Sequence, residues 1–268
     1  MANENNNQHK THRALELVET LTRLGGSART SHLADTMNVS EETIRRTVKK
    51  LTKEGTVSRV HGGVFLVNAL GVPSLHQRIG EHPDEKRSIA SFAATLIDDG
   101  ASVFLDVGST SVFIAEALRA KKKLTIITNS ISVAQTLMDH SNNRVFLAGG
   151  ELQNDLGGTF GSSTRKFISK FRADFALLSV VAVDPKQGFL VNAQGEADLA
   201  EIYVENAHKS IMVADHTKLD QLAPIVSCDP GDIDTFITNK RPNSDIEASM
   251  QKWGIDVLLA PVKKKKHK

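Results

Sequence analysis

A run of cations and hydroxyls between residues 40 and 61 carries the chemistry of DNA contact. Ile44, Val48 and Leu51 recur at i, i+4 and i+7, which predicts a helix with one apolar face. Hydroxyl and cationic side chains are left outside that face, where they can reach base edges and phosphates. The predicted DNA-contacting residues are Ser40, Thr43, Arg45, Arg46, Lys49, Arg59 and His61.

A second set of polar residues follows the predicted strands of the C-terminal half. Gly108-Ser109-Thr110-Ser111 stands at a strand-to-helix junction, where backbone N–H groups and the helix dipole favour an anion. Ordinary helix capping is the alternative for this junction taken alone, but several such loops converge at one sheet edge. We therefore predict a small phosphorylated ligand, with the hydroxyls of Ser109, Thr110 and Ser111 on its phosphate. The predicted effector-binding residues are Asp106, Gly108, Ser109, Thr110, Ser111, Thr128, Asn129, Gly149, Gly150 and Lys218, of which Asp106, Asn129 and Lys218 are assigned to the part of the ligand beyond its phosphate.

Three helices are predicted to position the DNA-contacting residues. Residues 12–24 form the first, a second runs roughly from Thr30 to Met37, and the third begins after Ser40. Ser40 is predicted to be the N-cap of the third helix, or alternatively a donor to a DNA phosphate. The first helix is expected to turn Leu15, Val18, Leu21 and Leu24 toward the core.

Two β-prone runs at residues 56–60 and 64–67 follow these helices. They surround His61-Gly62-Gly63, which predicts a hairpin because glycine supplies the positive φ of the turn. The helices and the hairpin together predict a winged helix-turn-helix over residues 11–67. A solvated surface or a protein-docking winged-helix module are the alternatives. Residues 43–61 hold six Lys or Arg against one acid, which favours DNA.

Helices and strands alternate from residue 84 to residue 262. This alternation predicts an α/β domain with a mostly parallel sheet and helices on both faces, in which ligands bind beyond the carboxyl ends of the strands. The predicted strands are residues 102–107, 124–129, 144–148, 175–181, 210–215, 235–238 and 256–259. The predicted fold class is thus an N-terminal winged helix-turn-helix followed by a larger α/β domain, joined by a linker at residues 68–83.

Charge and composition separate these parts of the chain. Residues 1–63 hold 10 Lys or Arg against 7 Asp or Glu, whereas residues 64–262 hold 18 against 24. Residues 1–10 are predicted to be a disordered arm, and residues 263–268 a basic tail that contacts phosphate or merely improves solubility. The single cysteine, Cys228, excludes an internal disulfide, and no apolar run reaches the roughly 20 residues of a membrane span. A cytoplasmic protein without membrane contact, cofactor or metal is therefore predicted.

The quoted motifs resemble those of the DeoR-type bacterial transcriptional regulators over most of the chain, from about residue 11 to residue 261. The resemblance implies a sensor domain similar to sugar-phosphate isomerases that binds its ligand without turnover. It also implies an oligomeric repressor of a sugar or polyol catabolic operon, released from DNA by a phosphorylated intermediate. The matching motifs are Val39-Ser40-Glu41, Thr43-Ile44-Arg45-Arg46, His61-Gly62-Gly63, Lys86 with Ile89-Ala90, Leu105-Asp106, Gly108-Ser109-Thr110, Thr128-Asn129-Ser130, Gly149-Gly150, Asp174, Glu196-Ala197, and Asp215 with Lys218.

The sequence departs from the family pattern at three places. Thr47-Val48 stands where Asp-Leu is usual, Ala200 where lysine is common, and 179–182 where the family has a glycine-containing stretch. The first change removes a negative charge from the DNA face, and the other two lie near the expected pocket.

The working hypothesis is a ligand-gated repressor. Its expected partners are an operator in double-stranded DNA, a phosphorylated sugar or polyol, and further copies of itself as a dimer or tetramer. An isomerase-like enzyme is the main alternative, since Asp106, Glu196, Asp215 and Lys218 could supply an acid or base. Residues 67–83 are expected to couple ligand binding to the DNA-binding head.

Overall fold

The structure is a computed structural model that describes residues 2–24, 27–60, 63–66 and 75–261. The chain divides into two compact units. The N-terminal unit comprises residues 1–73 with 221–224, and the C-terminal unit comprises residues 74–220 with 225–268. The division after residue 73 falls inside the predicted linker at 68–83.

The N-terminal unit is a winged helix-turn-helix, as predicted. Its short sheet has the order β1-β3-β2 with antiparallel pairing, and Val57 lies opposite Leu66 across the hairpin. The strand β1 was not predicted, because three residues are too few to show a pattern and only pairing with β3 makes them a strand. The elements are α1 (Ala2–Arg23), β1 (Ser27–Arg29), α2 (Thr30–Thr36), α3 (Glu41–Lys53), β2 (Val57–Val60) and β3 (Gly63–Leu66).

The core of this unit contains the predicted apolar face of α3. Ile44, Val48 and Leu51 are all buried there, with Leu33 and Ala34 of α2. One prediction for α1 is wrong, because Leu15 is 60% exposed. Leu21 is buried as predicted, but Ala14 and Leu17 are buried in place of Leu15, because packing against α2 and α3 selects which residues of α1 face inward.

The prediction of a disordered arm at residues 1–10 also needs correction. Helix α1 begins at Ala2, so residues 2–10 continue the helix that was expected to begin near residue 12. No Gly or Pro interrupts residues 2–23, and extending an existing helix adds one backbone hydrogen bond per residue without a new nucleation cost.

The C-terminal unit is built on a seven-stranded parallel sheet. The strand order is β15-β14-β12-β9-β4-β5-β6, and every neighbouring pair is parallel. The seven strands are β4 (Ser102–Leu105), β5 (Thr125–Thr128), β6 (Arg144–Leu147), β9 (Ala173–Ser179), β12 (Ala207–Val213), β14 (Thr235–Thr238) and β15 (Asp256–Leu259). The predicted α/β class with a mostly parallel sheet is confirmed.

Helices cover both faces of this sheet. Side chains alternate along each strand, so Phe104 packs into one hydrophobic core while Val103 and Leu105 pack into the other. The helices are α4 (Leu75–Gly80), α5 (Pro83–Thr95), α6 (Ser109–Leu118), α7 (Ile131–Leu137), α8 (Ser162–Ile168), α9 (Gln194–Glu205) and α10 (Ser244–Trp253). Within the described ranges, no helix combines the length and apolar composition needed to cross a membrane.

Several short elements of this unit were not predicted. A hairpin pairs β7 (Glu151–Gln153) with β8 (Gly158–Phe160), and a small antiparallel sheet joins β10 (Ala182–Asp184), β11 (Gly188–Val191) and β13 (Ile225–Val226). Helix α4 lies in the predicted linker at 68–83. Its Leu75 is buried and Ile79 packs against the core, so tertiary contacts stabilise a helix that is too short to be stable alone.

The strand order places a topological switch point between β4 and β9. The chain runs outward from β4 through β5 to β6, then returns to the other side of β4 at β9 and continues to β15. Connections leave the adjacent ends of β4 and β9 in opposite directions, which opens a crevice beyond their carboxyl ends. This crevice is the position at which a ligand site is expected.

Candidate functional site

The start of α3 is fixed by Ser40. Its Oγ accepts a hydrogen bond from the backbone N–H of Thr43 at 3.3 Å and lies 2.9 Å from Thr43 Oγ1. Glu41 and Glu42 occupy the first turn, where carboxylates complement the helix dipole. The predicted N-cap is therefore confirmed, and the hydroxyls of Ser40 and Thr43 contact each other at the exposed end of the helix.

The predicted cations of α3 differ in their surroundings. Arg45 is paired with Glu41 at 2.9 Å and lies 3.9 Å from Glu42. Arg46 and Lys49 are exposed and form no ion pair with any residue that the structure describes. Because Arg45 must give up Glu41 to reach a phosphate, Arg46 and Lys49 are better placed to bind DNA.

The wing carries the remaining predicted DNA contacts. Arg59 lies on β2 and is exposed. His61 lies outside the described residues, and so does the basic tail at residues 263–268. The charged face of this unit that can be described thus comprises α3 and the outer side of β2.

In the C-terminal unit, Gly108 lies at the switch point immediately before α6. A Cβ at this position would lie 2.1 Å from Ser179 Oγ at the end of β9, so only glycine allows the two strand ends to approach this closely. Gly108 has extended backbone angles and occupies the N-cap position of α6, but it has no side chain that could accept a hydrogen bond from the helix. The first N–H groups of α6 therefore lack the side-chain acceptor that Ser40 supplies to α3.

The three predicted hydroxyls of α6 fall into two groups. Ser109 and Thr110 are buried, yet their hydroxyls form no hydrogen bond with any described residue. Ser111 is completely buried and donates to Asp106, and its Oγ lies 3.2 Å from Ser179 Oγ. Ser109 and Thr110 can therefore receive a ligand, whereas the hydroxyl of Ser111 is engaged within the protein.

The carboxylate of Asp106 is occupied by the protein itself. It accepts hydrogen bonds from Ser111 Oγ, from the Ser179 N–H at 2.8 Å and from Ser179 Oγ at 3.2 Å. Burial raises the pKa of Asp106 to about 7, although these hydrogen bonds favour its ionised form. Through these hydrogen bonds, Asp106 holds the turn before α6 against β9. A contact between Asp106 and the ligand stays a prediction.

A small cavity lies beside Asp106, with a volume of about 20 Å³, which is room for roughly one water molecule. Asp106, Asn129, Glu196 and Tyr203 supply polar atoms to its wall. Tyr203 Oη donates to Asn129 Oδ1 at 3.1 Å, and Asn129 Nδ2 donates to the Thr159 carbonyl at 3.0 Å. Burial raises the pKa of Tyr203 well above its usual value, so it remains a donor.

Glu196 brings a second carboxylate to the cavity. It lies in the first turn of α9, and its Oε2 accepts the Ala193 N–H at 3.1 Å. Burial raises the pKa of Glu196, while the positive charge of Arg78 on α4 acts in the opposite direction. Sequence reasoning had assigned Glu196 only to the enzyme alternative; an acidic residue in a helix's first turn looks like an ordinary cap until the fold brings it to the cavity.

Of the ten predicted effector residues, Asp106 and Asn129 line this cavity and the other eight do not, including the loop residues Thr128, Gly149 and Gly150. Thr128 is buried and its Oγ1 accepts the Ser130 N–H at 2.9 Å, which shapes the turn before α7. The Gly149 carbonyl accepts from Thr164 Oγ1 at 2.9 Å, and a Cβ on Gly150 would lie 2.2 Å from that oxygen, although both glycines are exposed. These residues support neighbouring loops.

A cluster of charges lies around the predicted residue Lys218. The buried Lys86 donates from Nζ to the Arg78 carbonyl at 2.6 Å and the Glu81 carbonyl at 2.7 Å. Burial lowers the pKa of Lys86 to about 8, Asp215 opposes this effect, and Lys218 adds to it. Asp215 is buried, and its Oδ2 has no hydrogen-bond partner in the described part of the chain. Sequence reasoning had not included Arg78 or Lys86 in the site.

A winged helix-turn-helix with a cationic α3 and a separate α/β unit with a site at its switch point define a DNA-binding regulator with its own ligand-binding unit. Models of known families match both units. The DeoR-like helix-turn-helix domain matches residues 13–69, and the DeoR C terminal sensor domain matches residues 81–240. The chain belongs to the DeoR family.

Similar proteins agree with this assignment. The glycerol-3-phosphate regulon repressor of Escherichia coli (strain K12) is 33% identical over 233 residues, which are 87% of this chain and 92% of that protein. The HTH-type transcriptional repressor CsqR of the same organism is 30% identical over 227 residues, 85% of this chain and 87% of that one. Both are named as transcriptional repressors, so this chain is a regulator and not an enzyme.

A solved structure is also similar in part. Ribose 5-phosphate isomerase A from Methanocaldococcus jannaschii aligns with a TM-score of 0.38 and 16% identity, over 52% of this chain and 55% of that chain. A similarity of this size carries no argument about function.

Proposed function

We propose that this protein represses a sugar or polyol catabolic operon and leaves its operator when a phosphorylated intermediate of that pathway binds the C-terminal unit. The name of its 33%-identical relative refers to glycerol 3-phosphate. The residues at the switch point support the same class of ligand independently of that name.

The hydroxyls of Ser109 and Thr110 are the observation that carries this proposal. These two hydroxyls have no partner among the described residues and are not among the unpartnered side-chain atoms that the protein shields fully from solvent, so a ligand can reach them. They stand at the start of a helix whose first N–H groups have no side-chain cap. A phosphate would satisfy the hydroxyls and the N–H groups together, because its oxygens accept several hydrogen bonds at once.

The charge cluster supplies the cations that such a ligand needs. Lys86 uses two of its three N–H donors on backbone carbonyls, which leaves one for an anion. Lys218 adds a second positive charge, and the unpartnered Asp215 Oδ2 can accept from a ligand hydroxyl. Helices α4 and α5 both pack against α6, so these groups belong to the same end of the unit as Ser109 and Thr110.

The cavity beside Asp106 has a volume of about 20 Å³, which is room for roughly one water molecule. A ligand group that reaches Asp106 or Asn129 must therefore move side chains to enter. Ligand binding must also favour an arrangement of the protein that fits the operator poorly, since otherwise it could not release DNA.

The operator is proposed to contact α3 and the wing. Arg46 and Lys49 are the main phosphate or base contacts, with Thr43 and Ser40 at the helix start and Arg45, Arg59 and His61 beside them. Two or more copies are proposed to assemble, because paired recognition helices read spaced half-sites.

Fluorescence anisotropy with DNA from upstream of the controlled genes tests this proposal. Glycerol 3-phosphate, a pentose phosphate and a hexose phosphate are titrated into the preformed complex. One of them should release the DNA, and the double variant Ser109→Ala/Thr110→Ala should need at least about tenfold more of it, a loss of about 1.4 kcal/mol.

The matched control is Ser162→Ala/Ser163→Ala, which removes two exposed hydroxyls at the start of α8. This control should respond like the unmodified protein. Equal sensitivity of both double variants would remove Ser109 and Thr110 from the site. Failure of the unmodified protein to bind any upstream DNA more tightly than a scrambled duplex would overturn the repressor function itself.

A further inference from the structure

Two carboxylates face the cavity at the switch point. Asp106 follows β4 and Glu196 lies in the first turn of α9, and both line the same space of about 20 Å³. Neither carboxylate forms an ion pair with any residue in the described part of the chain. Two negative charges close together in a poorly solvated space repel each other, and a shared proton relieves that repulsion.

The charged groups that act on the two carboxylates have opposite signs. Glu196 feels the positive charge of Arg78 from α4 and accepts the Ala193 N–H. Asp106 faces the hydroxyls of Ser111 and Ser179, and the negative charge of Glu196 raises the pKa of Asp106. Glu196 therefore retains its negative charge more readily, and Asp106 is the group that accepts a proton.

We infer that the Asp106–Glu196 pair takes up a proton when a phosphorylated effector binds at the start of α6. The inference rests on the proposed function, because it needs an anion at Ser109 and Thr110. Asp106 lies three residues before Ser109 and is hydrogen-bonded to Ser111 in the first turn of α6. An anion at that turn adds negative charge beside the pair, and protonation of Asp106 offsets it.

The hydrogen bonds around Asp106 can accept this proton by reorienting hydroxyl hydrogens, while all non-hydrogen atoms stay in place. In the ionised form, Ser111 donates to Asp106 Oδ1, and Ser179 donates to Oδ2 through its N–H and its hydroxyl. In the protonated form, Oδ1 donates to Ser111 Oγ, and the Ser111 hydroxyl turns to Ser179 Oγ at 3.2 Å. The proton comes from solvent, and Ser179 continues to donate to Oδ2.

The pKa of Asp106, about 7, places this exchange in the neutral range. Near pH 7 about half of the ligand-free molecules carry the proton, so effector binding can take up at most about half a proton more. Effector affinity should therefore rise as the pH falls from about 8 to about 6. Asp106 is thus a positioning residue: it holds the start of α6, and its protonation changes when the effector binds.

Isothermal titration calorimetry at pH 7 in two buffers of different ionisation enthalpy measures the proton uptake. Inorganic phosphate is the probe, because every proposed effector carries that group. Because phosphate itself titrates near pH 7, sulfate is titrated in parallel as an anion that does not, and with sulfate the difference between the unmodified protein and Asp106→Asn isolates Asp106. The expected difference is a few tenths of a proton, and Asp245→Asn, an exposed carboxylate on α10, should behave like the unmodified protein.

Glu196→Gln provides a second variant that keeps the acceptor for the Ala193 N–H. Loss of its charge should lower the pKa of Asp106, and the carboxyl carbon resonance of Asp106 should then titrate at lower pH in the ligand-free protein. Equal proton uptake in the unmodified protein and Asp106→Asn, or titration of Asp106 near pH 4 in the unmodified protein, would overturn the inference. Absence of phosphate binding to the unmodified protein would instead reject the proposed anion site, and the inference with it.

Discussion

The starts of α3 and α6 differ in how their free backbone N–H groups are capped. Ser40 caps α3 with its own hydroxyl, whereas Gly108 leaves the first turn of α6 without a side-chain acceptor. The Ser40 cap engages one of the free N–H groups of α3, and the exposed cations of that helix are the groups it offers to a partner. An uncapped start offers its own N–H groups, which is how a helix binds an anion.

Exposure separates the two sites as well. Arg46 and Lys49 stand in solvent, where long cationic side chains adapt to a DNA surface. Ser109 and Thr110 are buried, where a ligand must fit a fixed arrangement of donors. The N-terminal unit is thus suited to a large polyanion, and the C-terminal unit to a small one that it selects by shape.

The largest effect that tests this contrast is expected from Gly108→Ala. The added Cβ would lie 2.1 Å from Ser179 Oγ, so the turn before α6 must shift away from β9 at a cost of about 1–3 kcal/mol. Effector-induced release should be lost while operator affinity in the absence of effector is retained, as measured by anisotropy. Gly80→Ala is the control, because a Cβ there meets nothing within 4 Å. Normal release by Gly108→Ala would show that the close approach is unnecessary.

An intermediate effect is expected on the DNA side. Arg46→Ala should weaken operator binding by about 1–3 kcal/mol. Arg45→Ala should weaken it less, because Glu41 already competes for the guanidinium at 2.9 Å. Both affinities are measured by anisotropy at fixed salt, with Lys252→Ala on α10 as a control for loss of one positive charge. A larger loss of operator affinity in Arg45→Ala than in Arg46→Ala would show that pairing with Glu41 does not limit the contact of Arg45 with DNA.

The smallest effect distinguishes the two helix starts themselves. Ser40→Ala removes an N-cap and should reduce the stability of the N-terminal unit by about 1 kcal/mol. Ser109→Ala removes a hydroxyl that has no partner among the described residues, so the C-terminal unit should change by less than about 0.5 kcal/mol. Hydrogen exchange of the α3 and α6 amides measures both, and a stronger loss for Ser109→Ala would reveal a structural role for its hydroxyl.

The DNA-binding unit was predictable because its evidence is local. The spacing of Ile44, Val48 and Leu51 sets the buried face of α3, and Ser40 sets its first turn; the structure agrees with both. Leu15 shows the limit of this reasoning. Helical spacing placed both Leu15 and Leu21 on the inward face of α1, and only packing against the other helices buried Ala14 and Leu17 in place of Leu15.

The candidate ligand site was predictable only in outline. Strand ends and the sequence 108–111 located it, because the carboxyl ends of parallel strands meet at one edge of the sheet. Ser179 and Glu196 arrive from β9 and α9, far away in the sequence. The family resemblance placed residues 179–182 near the pocket and matched Glu196-Ala197, but the cavity that both residues share with Asp106 depends on the fold. Gly149-Gly150 has the composition of a ligand loop, and the structure adds its contact with Thr164, so its contact with an effector stays a prediction.

The sequence by itself determined the two-part organisation, the family and the recognition helix, and it located the turn at 108–111 that we propose binds an anion. Each of these depends on residues that are neighbours along the chain. The tertiary structure alone decided which hydroxyls remain without partners, that Asp106 is held by Ser111 and Ser179, and that Glu196 shares its cavity. Those features depend on the strand order, which brings β9 beside β4 after an excursion through β5 and β6. Local propensities do not encode that order, because it is set by the burial of both faces of the complete sheet.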